Sequence, residues 1–180
     1  ESWSGLDASD IQGMAFAGTV LYVADAGNDK IYKTTLPHGI TTSQDPLALA
    51  ANGTTTLYVL TEGTPYDKIL LVDPATGAVS SVYNAPDDSG EGLTYVAGYL
   101  YYASNENNKI YKLDATTGAQ VASFRPRSTH GDDMWDPMYG LGYDGSDLIL
   151  VFHQDSGQQE GCYYKIDIAN GDNEGEVCSP

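Results

Sequence analysis

Two cysteines, Cys162 and Cys178, are the residues of this chain whose spacing most directly suggests covalent chemistry. They stand at equal distances on either side of Asn170. Asn170 belongs to the segment DIANG, which has the composition of a tight turn. In a hairpin folded about that turn the two side chains would face each other, close enough for a cross-strand disulfide. Such a bond predicts an extracellular protein, and two buried free thiols in a cytosolic protein are the alternative.

The common signatures of hydrolytic and redox catalysis are missing, because the sequence has no GxSxG, HExxH or CxxC motif. Carboxylates occur in pairs in turn-like segments: Asp25 with Asp29, Asp132 with Asp133, and Asp144 with Asp147. No stretch has the alternating ligand spacing of a calcium loop, so we interpret these pairs as solvated. We therefore expect no cofactor, with calcium as the secondary hypothesis.

Asn52 begins the one N-glycosylation sequon of the sequence, Asn52-Gly53-Thr54. Asn-Gly is also the dipeptide that tight hairpin turns favour, because both central residues of such a turn need positive φ and Asn and Gly adopt it more readily than other residues. The sequence leaves both interpretations open, a glycan acceptor at a hairpin tip and a plain turn.

The charge of the chain argues against two classes of partner. Eight basic residues against 25 acidic ones give a net charge of -17, which repels nucleic acid and anionic membranes. The sequence has neither a signal peptide nor an apolar run long enough to span a membrane, and it starts at Glu1 without Met. We expect a processed mature protein or a fragment, with acidity that keeps an extracellular surface soluble.

The elements that must position these residues come from a repeat. The segment LYVADAGNDKIYK (21–33) returns as LYYASNENNKIYK (100–112). Three glycines stand nine residues before equivalent positions of a predicted second strand: Gly13 before Tyr22, Gly92 before Tyr101 and Gly140 before Ile149. The remaining unit, which starts at Pro46, is predicted to have three extra residues in its hairpin. A unit repeated in this way buries its faces by stacking on copies of itself.

Turn residues also recur, in the segments TLPHG, DPATG, DATTG and DIANG, each between a third and a fourth strand. The sequence therefore predicts an all-β fold, a β-propeller with four blades of four antiparallel strands. The blades are expected at about 11–43, 46–83, 90–124 and 138–178, in a single 180-residue domain. A β-sandwich is the competing architecture, and the equal units argue against it.

Two of these segments resemble known propeller repeats. LYVADAGNDKIYK resembles the core of NHL-type repeats, and KILLVDPATGAV resembles the YVTN-type repeats of secreted propellers. The likeness runs from about Ile11 to Val177. Such propellers include protein-binding scaffolds, surface-layer proteins, lactonases and lyases. They generally have six or more blades, so four units either close on themselves or form part of a larger ring.

The resemblance implies a functional face, on which the loops between second and third strands meet the connections between blades. The longest of these connections is RPRSTHGDDMWDP (125–137). Aromatic and arginine side chains dominate binding hot spots. The candidate binding residues on this face are Tyr66, Arg125, Arg127, His130, Asp132, Asp133, Trp135 and His153.

A weaker likeness concerns Glu91 in EGLTY, which resembles the metal-binding glutamate of gluconolactonase-like propellers, with Asp45 in the corresponding place of the second unit. The remaining ligands of that family have no match here. We therefore expect a secreted, non-enzymatic propeller that binds a protein, a glycan or copies of itself, as in an extracellular fibre or surface layer. A metal-dependent lactonase or lyase is the alternative.

Overall fold

The strands of this protein form four antiparallel sheets, each of four strands consecutive in the chain. The computed structural model describes residues 10–33, 40–127, 137–152 and 162–178. In that part of the chain there is no α-helix, and hence none that could cross a membrane; a single 3-10 turn covers Ala26–Asn28. The fold is all-β, a β-propeller with four four-stranded blades, as the repeat predicted.

Every blade uses its strands in chain order. Blade 1 has β1 (Ile11–Ala17), β2 (Val20–Asp25), β3 (Lys30–Lys33) and β4 (Ile40–Thr41). Blade 2 has β5 (Pro46–Asn52), β6 (Thr56–Thr61), β7 (Lys68–Val72) and β8 (Val79–Asn84). Blade 3 has β9 (Gly90–Val96), β10 (Tyr99–Ser104), β11 (Lys109–Asp114) and β12 (Gln120–Phe124), and blade 4 has β13 (Met138–Tyr143), β14 (Leu148–Phe152), β15 (Cys162–Ile166) and β16 (Asn173–Cys178). The strands group into two compact units, unit 1 (residues 1–85, blades 1 and 2) and unit 2 (residues 86–180, blades 3 and 4).

The turns between third and fourth strands follow the predicted chemistry in blades 2, 3 and 4. The carboxylate that opens each turn accepts a backbone N–H two residues later, as in the 2.7 Å bond from Ala75 to Asp73. The closing glycine has positive φ in all three, for example 75° at Gly77, where a side chain would be strained. The corresponding segment of blade 1, TLPHG, lies outside the described residues.

A β-bulge interrupts the first strand of all four blades at the same place. The pairing skips one residue there, because Ile11 pairs with Asp25 and Gly13 pairs with Ala24. The equivalent shifts in the other blades fall in β5, β9 and β13. The strand register skips Gln12, Leu47, Glu91 and Tyr139 at these places.

The strand register corrects one sequence-based assignment. The backbone N–H of Glu62 donates to the carbonyl of Asp45, and that of Asn105 donates in the same way to Ser89, both over 3.0 Å. Asp45 is therefore the counterpart of Ser89, not of Glu91. The reason is that the hairpin of blade 2 is longer than that of blade 3 by one residue and not by the three that the sequence predicted, so that Leu47 takes the place of Glu91.

In unit 1 the first strands of the two blades pack directly on each other, above a core that includes Tyr22, Ile31, Leu57 and Val59. Unit 2 repeats this arrangement with a core that contains Tyr101, Ile110, Leu148 and Ile166. Burial of these large side chains supplies the main favourable free energy of each unit.

Candidate functional site

The buried polar side chains Asp25, Thr42, Thr61, Asp67, Asp87 and Ser104 all lie at one end of their blades, where the second strand ends and the first begins. We call this end the loop end (residues 10, 25–29, 42–45, 61–67, 84–91 and 104–108). A backbone bond recurs there in blades 1, 2 and 3: the N–H of Ala26, Glu62 and Asn105 donates to the carbonyl of Asp10, Asp45 and Ser89, at 2.9 to 3.0 Å. This bond ties the loop after each second strand to the segment before the first strand. The loop end is thus built the same way in each of these blades.

In unit 2 the loop end is organised around the buried carboxylate of Asp87. Tyr102 donates its hydroxyl to Asp87 Oδ1 over 2.6 Å, Ser104 donates to Oδ2, and Asn107 Nδ2 donates to Oδ2 over 3.3 Å. Tyr102 and Ser104 are fully buried. Burial and the nearby Asp87 charge raise the pKa of Tyr111. A carboxylate with this many donors holds the loop in place.

Asn105 links blade 3 to blade 4. Its side-chain oxygen accepts the backbone N–H of Met138 over 2.6 Å, and its Nδ2 donates to the Met138 carbonyl over 3.0 Å. These two hydrogen bonds resemble the pair that a neighbouring strand would make with the backbone of the first residue of β13. The side chain of Asn105 therefore positions β13, the first and innermost strand of blade 4.

In unit 1 a different position supplies the buried carboxylate of the loop end: Asp25 is fully buried at the end of β2. Its oxygens accept the backbone N–H of Asp10 over 2.9 Å and Nδ2 of Asn28 over 2.7 Å. Our interpretation of Asp25 and Asp29 as a solvated pair is wrong for Asp25. The carboxylate closes the loop end of blade 1 and is inaccessible to solvent.

Asp29 and Asp45 form a second kind of acidic contact. A hydrogen bond between their side chains raises the pKa of Asp45 above its ordinary value, and burial and the charges of Asp29, Glu62 and Asp10 act in the same direction. The two carboxyl groups thus make ionisation of Asp45 less favourable than it would be in water.

Two buried hydroxyls adjoin this pair. Thr42 Oγ1 and Thr61 Oγ1 have no hydrogen-bond partner among the described residues. Thr42 donates its backbone N–H to the Asp29 carbonyl, and Thr61 directly precedes Glu62. Within the described ranges, however, no three His, Cys, Asp or Glu side chains are grouped so that they could hold a metal ion.

The structure describes some of the binding residues that the sequence predicted, each within its own blade. Tyr66 is exposed, Arg125 is half-buried and Glu91 occupies the bulge of β9. His130, Asp132, Asp133, Trp135 and His153 lie outside the described residues. Their expected cluster on one face therefore stays a prediction.

Arg127 has an intramolecular partner. Its Nη1 lies 3.0 Å from Asp172 Oδ1, and its backbone N–H donates to the Gly171 carbonyl over 3.1 Å. The ion pair is about half exposed, so it contributes little to stability. It does hold the chain that leaves blade 3 against the turn between the third and fourth strands of blade 4, away from the loop end.

The two cysteines occupy directly paired positions of β15 and β16, as predicted from their symmetry about Asn170. Their side chains are outside what the structure describes, so the disulfide stays a prediction. Asn52 ends β5, and its carbonyl accepts the N–H of Thr55 over 3.1 Å, which closes the predicted hairpin turn.

Asp87, Tyr102, Ser104 and Asn105 were not predicted as site residues from the sequence. Nothing in the segment APDDSGEG separates a buried aspartate from a solvated one, since Asp87 and the exposed Asp88 are neighbours. One signal was present: Ser104 and Asp25 take the same place at the ends of aligned second strands. A short polar residue there indicates a capped strand end.

Comparison with known proteins supports the fold. No protein-family model and no curated protein sequence matches the chain. Among solved structures it is similar to a glutaminyl cyclase of Myxococcus xanthus, with a TM-score of 0.75 at 14% identity, over 93% of this chain and 69% of that one. It is also similar to the computationally designed protein Ika4 (TM-score 0.61, 13% identity, 93% and 96% covered) and to the WD40 repeats of RRP9 (TM-score 0.60, 13% identity, 94% and 50% covered).

Identities this low show the β-propeller fold alone. The likeness to NHL-type and YVTN-type repeats therefore rests on the blade motifs alone.

Proposed function

We propose that this protein is an extracellular, non-enzymatic β-propeller, built from NHL-like and YVTN-like blades, that works by binding a protein partner or further copies of itself. The observation that carries the proposal is a set of large apolar side chains exposed on the sheets. Met14 and Phe16 on β1 are 64% and 66% exposed, and Tyr139 and Val151 in blade 4 are 56% and 42% exposed. Apolar side chains grouped on a sheet mark a surface that gains free energy when another surface covers it.

The polar groups of the loop end support a structural role. Asp25 and Asp87 have their carboxylate oxygens committed to internal donors, and Asn105 is committed to the backbone of Met138. A general base or a metal ligand needs lone pairs directed at a substrate or an ion. These groups instead spend their hydrogen-bonding capacity on holding loops and strands.

The extracellular setting is supported by the pairing of Cys162 with Cys178 across a hairpin, the arrangement that an oxidising compartment converts into a bond. The turn at Asn52 leaves its sequon at a hairpin end, where a glycan has room. The net charge of -17 suits a protein kept soluble outside the cell.

Sedimentation velocity of the native protein across a wide concentration range tests the proposal. We expect the mean mass to rise with concentration, or a stable complex when extracellular extract is added. A species of single-chain mass that binds no protein under any condition, and that hydrolyses lactones when a divalent metal is added, would overturn the proposal.

The alternative, a metal-dependent lactonase or lyase, draws on the Asp29–Asp45 pair and the unpartnered hydroxyls of Thr42 and Thr61. Oxygen ligands of this kind suit a hard cation such as calcium. Calorimetric titration with calcium separates the two functions, because the alternative requires stoichiometric binding that Asp45→Asn abolishes.

A further inference from the structure

We propose that the turn at Asn52-Gly53 is a site of spontaneous chemical modification, at which the asparagine side chain loses its amide to water. The same dipeptide at Asn170-Gly171 is protected by its own turn. The inference goes beyond the proposed function and does not depend on it. Each of the two turns lies within one unit, the first in unit 1 and the second in unit 2.

An asparagine followed by a glycine holds both reactants of this modification, and the sequence contains that dipeptide at residues 52 and 170. The glycine nitrogen gives up its proton to hydroxide and bonds to the asparagine Cγ, the Cγ–Nδ2 bond breaks, and Nδ2 leaves as ammonia. Water then opens the resulting succinimide ring at either of its carbonyls, which leaves aspartate or isoaspartate. Glycine favours the ring closure because no side chain shields its nitrogen.

The turn at Asn52 leaves these reacting groups unengaged. Among the described residues, neither the Asn52 side chain nor the Gly53 N–H has a hydrogen-bond partner. Apart from the chain neighbours of Gly53, no atom of the described residues of unit 1 lies within 4 Å of a Cβ built there. The turn is closed by the Asn52 carbonyl, which accepts the Thr55 N–H over 3.1 Å and the Thr55 hydroxyl over 2.9 Å. The bonds that close the turn thus involve neither the attacking nitrogen nor the leaving amide.

The turn at Asn170 engages the same groups. The Gly171 N–H donates to the Asp167 carbonyl over 3.0 Å, and Asn170 Oδ1 accepts the Asp172 N–H over 2.8 Å. Gly171 is buried, and a Cβ built on it would lie 2.5 Å from Phe124 Cδ2. Ring closure at this turn therefore requires both hydrogen bonds to break first.

Conversion of Asn52 would alter the hairpin that β5 and β6 form. Either product adds one negative charge to the net charge of -17. In isoaspartate the main chain runs through Cβ and Cγ, so one more backbone atom enters the turn, and the acceptor of the Thr55 bonds is displaced. Asn52 pairs with Thr56, and the next residue of β6, Leu57, is fully buried. We therefore expect isoaspartate to destabilise the hairpin from its tip.

Deamidation and N-glycosylation compete for one atom of Asn52. A glycan is bonded to Nδ2, whereas deamidation expels Nδ2, so each modification excludes the other. The segment Asn170-Gly171-Asp172 is not a sequon. Of the two dipeptides, only Asn52-Gly53 has these two alternative fates.

Incubation of the folded protein, made in a host that attaches no glycan, tests the proposal. Peptide mass mapping over time measures the conversion of amide to acid at both asparagines, and labelling by an isoaspartyl methyltransferase identifies isoaspartate. We expect Asn52 to convert at least about tenfold faster than Asn170, because the second turn must first lose its hydrogen bonds. Equal rates at the two residues, or faster conversion at Asn170, would overturn the proposal.

The same measurement in urea with a reductant separates the effect of the turns from that of the local sequence. Unfolding should accelerate Asn170 and bring the two rates together. Two results would contradict the proposal. Unfolding that accelerates Asn52 as much as Asn170 would show that the first turn is equally protective, and an Asn170 that stays slow in urea would show that its protection is not structural.

Asn52→Gln is the matched variant, because it keeps the amide but would have to close a larger, less favourable ring. After the same incubation the unaltered protein should have a lower melting temperature than before, whereas Asn52→Gln should keep its own. Asn170→Gln is the control and should age as the unaltered protein does. An equal loss in Asn52→Gln would show that the damage arises elsewhere. None of these results depends on association, so the proposed function stands or falls separately.

Discussion

Aspartates of this chain fall into two groups that pH affects in opposite directions. Asp73, Asp114 and Asp144 each open a turn, and backbone N–H donors lower their pKa values, with Lys165 adding to the effect on Asp144. Asp45 has a raised pKa because it faces Asp29. The first group stabilises the fold when ionised, and Asp45 stabilises it when protonated.

We therefore expect Asp45→Asn to raise the melting temperature at neutral pH. The amide can donate to Asp29 without needing a shared proton, so the cost of ionising Asp45 disappears. A carboxyl group whose pKa is raised in the folded protein stabilises the fold fully below its unfolded pKa of 3.8. This stabilisation is lost as the pH rises through the pKa of the folded state. The gain over the unaltered protein should therefore shrink below about pH 4, as calorimetry in a pH series would show.

The matched change Asp73→Asn should act in the opposite direction. It removes the same charge from a carboxylate whose pKa is lowered by the Ala75 N–H, so it should lower the melting temperature at neutral pH. Equal shifts of both variants would mean that net charge, and not the local partner, sets the effect.

Asp87→Ala should cost at least about 2 kcal/mol of unfolding free energy, because the buried hydroxyls of Tyr102 and Ser104 lose their acceptor. Urea denaturation would measure the loss. The neighbouring Asp88 is exposed, so Asp88→Ala should leave the denaturation midpoint almost unchanged. Similar midpoints for both variants would show that the Asp87 network contributes little.

Strands and turns show which features local sequence can predict. The turn from Asp73 to Gly77 was predictable because its carboxylate and its glycine act within five residues. The bulge was not, since the extra residue Glu91 is defined only by the pairing of β9 with β10. The Asp87 network was not predictable either, because its partners lie up to 20 residues away and burial decides its role.

The glycines of the inner strands give a paired prediction. Gly92→Ala should destabilise the protein by about 1–3 kcal/mol, because the new methyl group would overlap the backbone of β13. Gly140→Ala should be neutral or slightly stabilising, since among the described residues of unit 2 a Cβ there would meet only Val151 Cβ, at 4.0 Å. Thermal unfolding of both variants at low concentration checks this, and equal effects would contradict the packing described for unit 2.

The hairpin of β15 and β16 gives the prediction that Cys162 and Cys178 are bonded. Closing a loop of about 15 residues suggests a stabilisation near 3 kcal/mol, which reduction should remove. Mass spectrometry of the protein alkylated without reduction measures the free thiols. Two alkylated cysteines would contradict both the bond and the main support for an extracellular setting.

The whole molecule combines apolar faces with a net charge of -17, so its association must overcome repulsion between like-charged copies. Salt shortens the range of that repulsion, from about 30 Å at 0.01 M to about 8 Å at 0.15 M. We expect light scattering to show stronger self-association as sodium chloride rises over this range. Calcium at matched ionic strength should add nothing, and a specific effect of calcium would favour the cation-binding alternative.

The bulge that recurs in the four inner strands also bears on how such a protein can change. The residue that the register skips is Gln12, Leu47, Glu91 or Tyr139, an amide, an alkyl group, a carboxylate and a phenol on one backbone design. The backbone ladder does not fix which residue stands at a skipped position, so the four blades keep one register with four different side chains there. A duplicated blade can thus change the chemistry of this position without a change in its strand register.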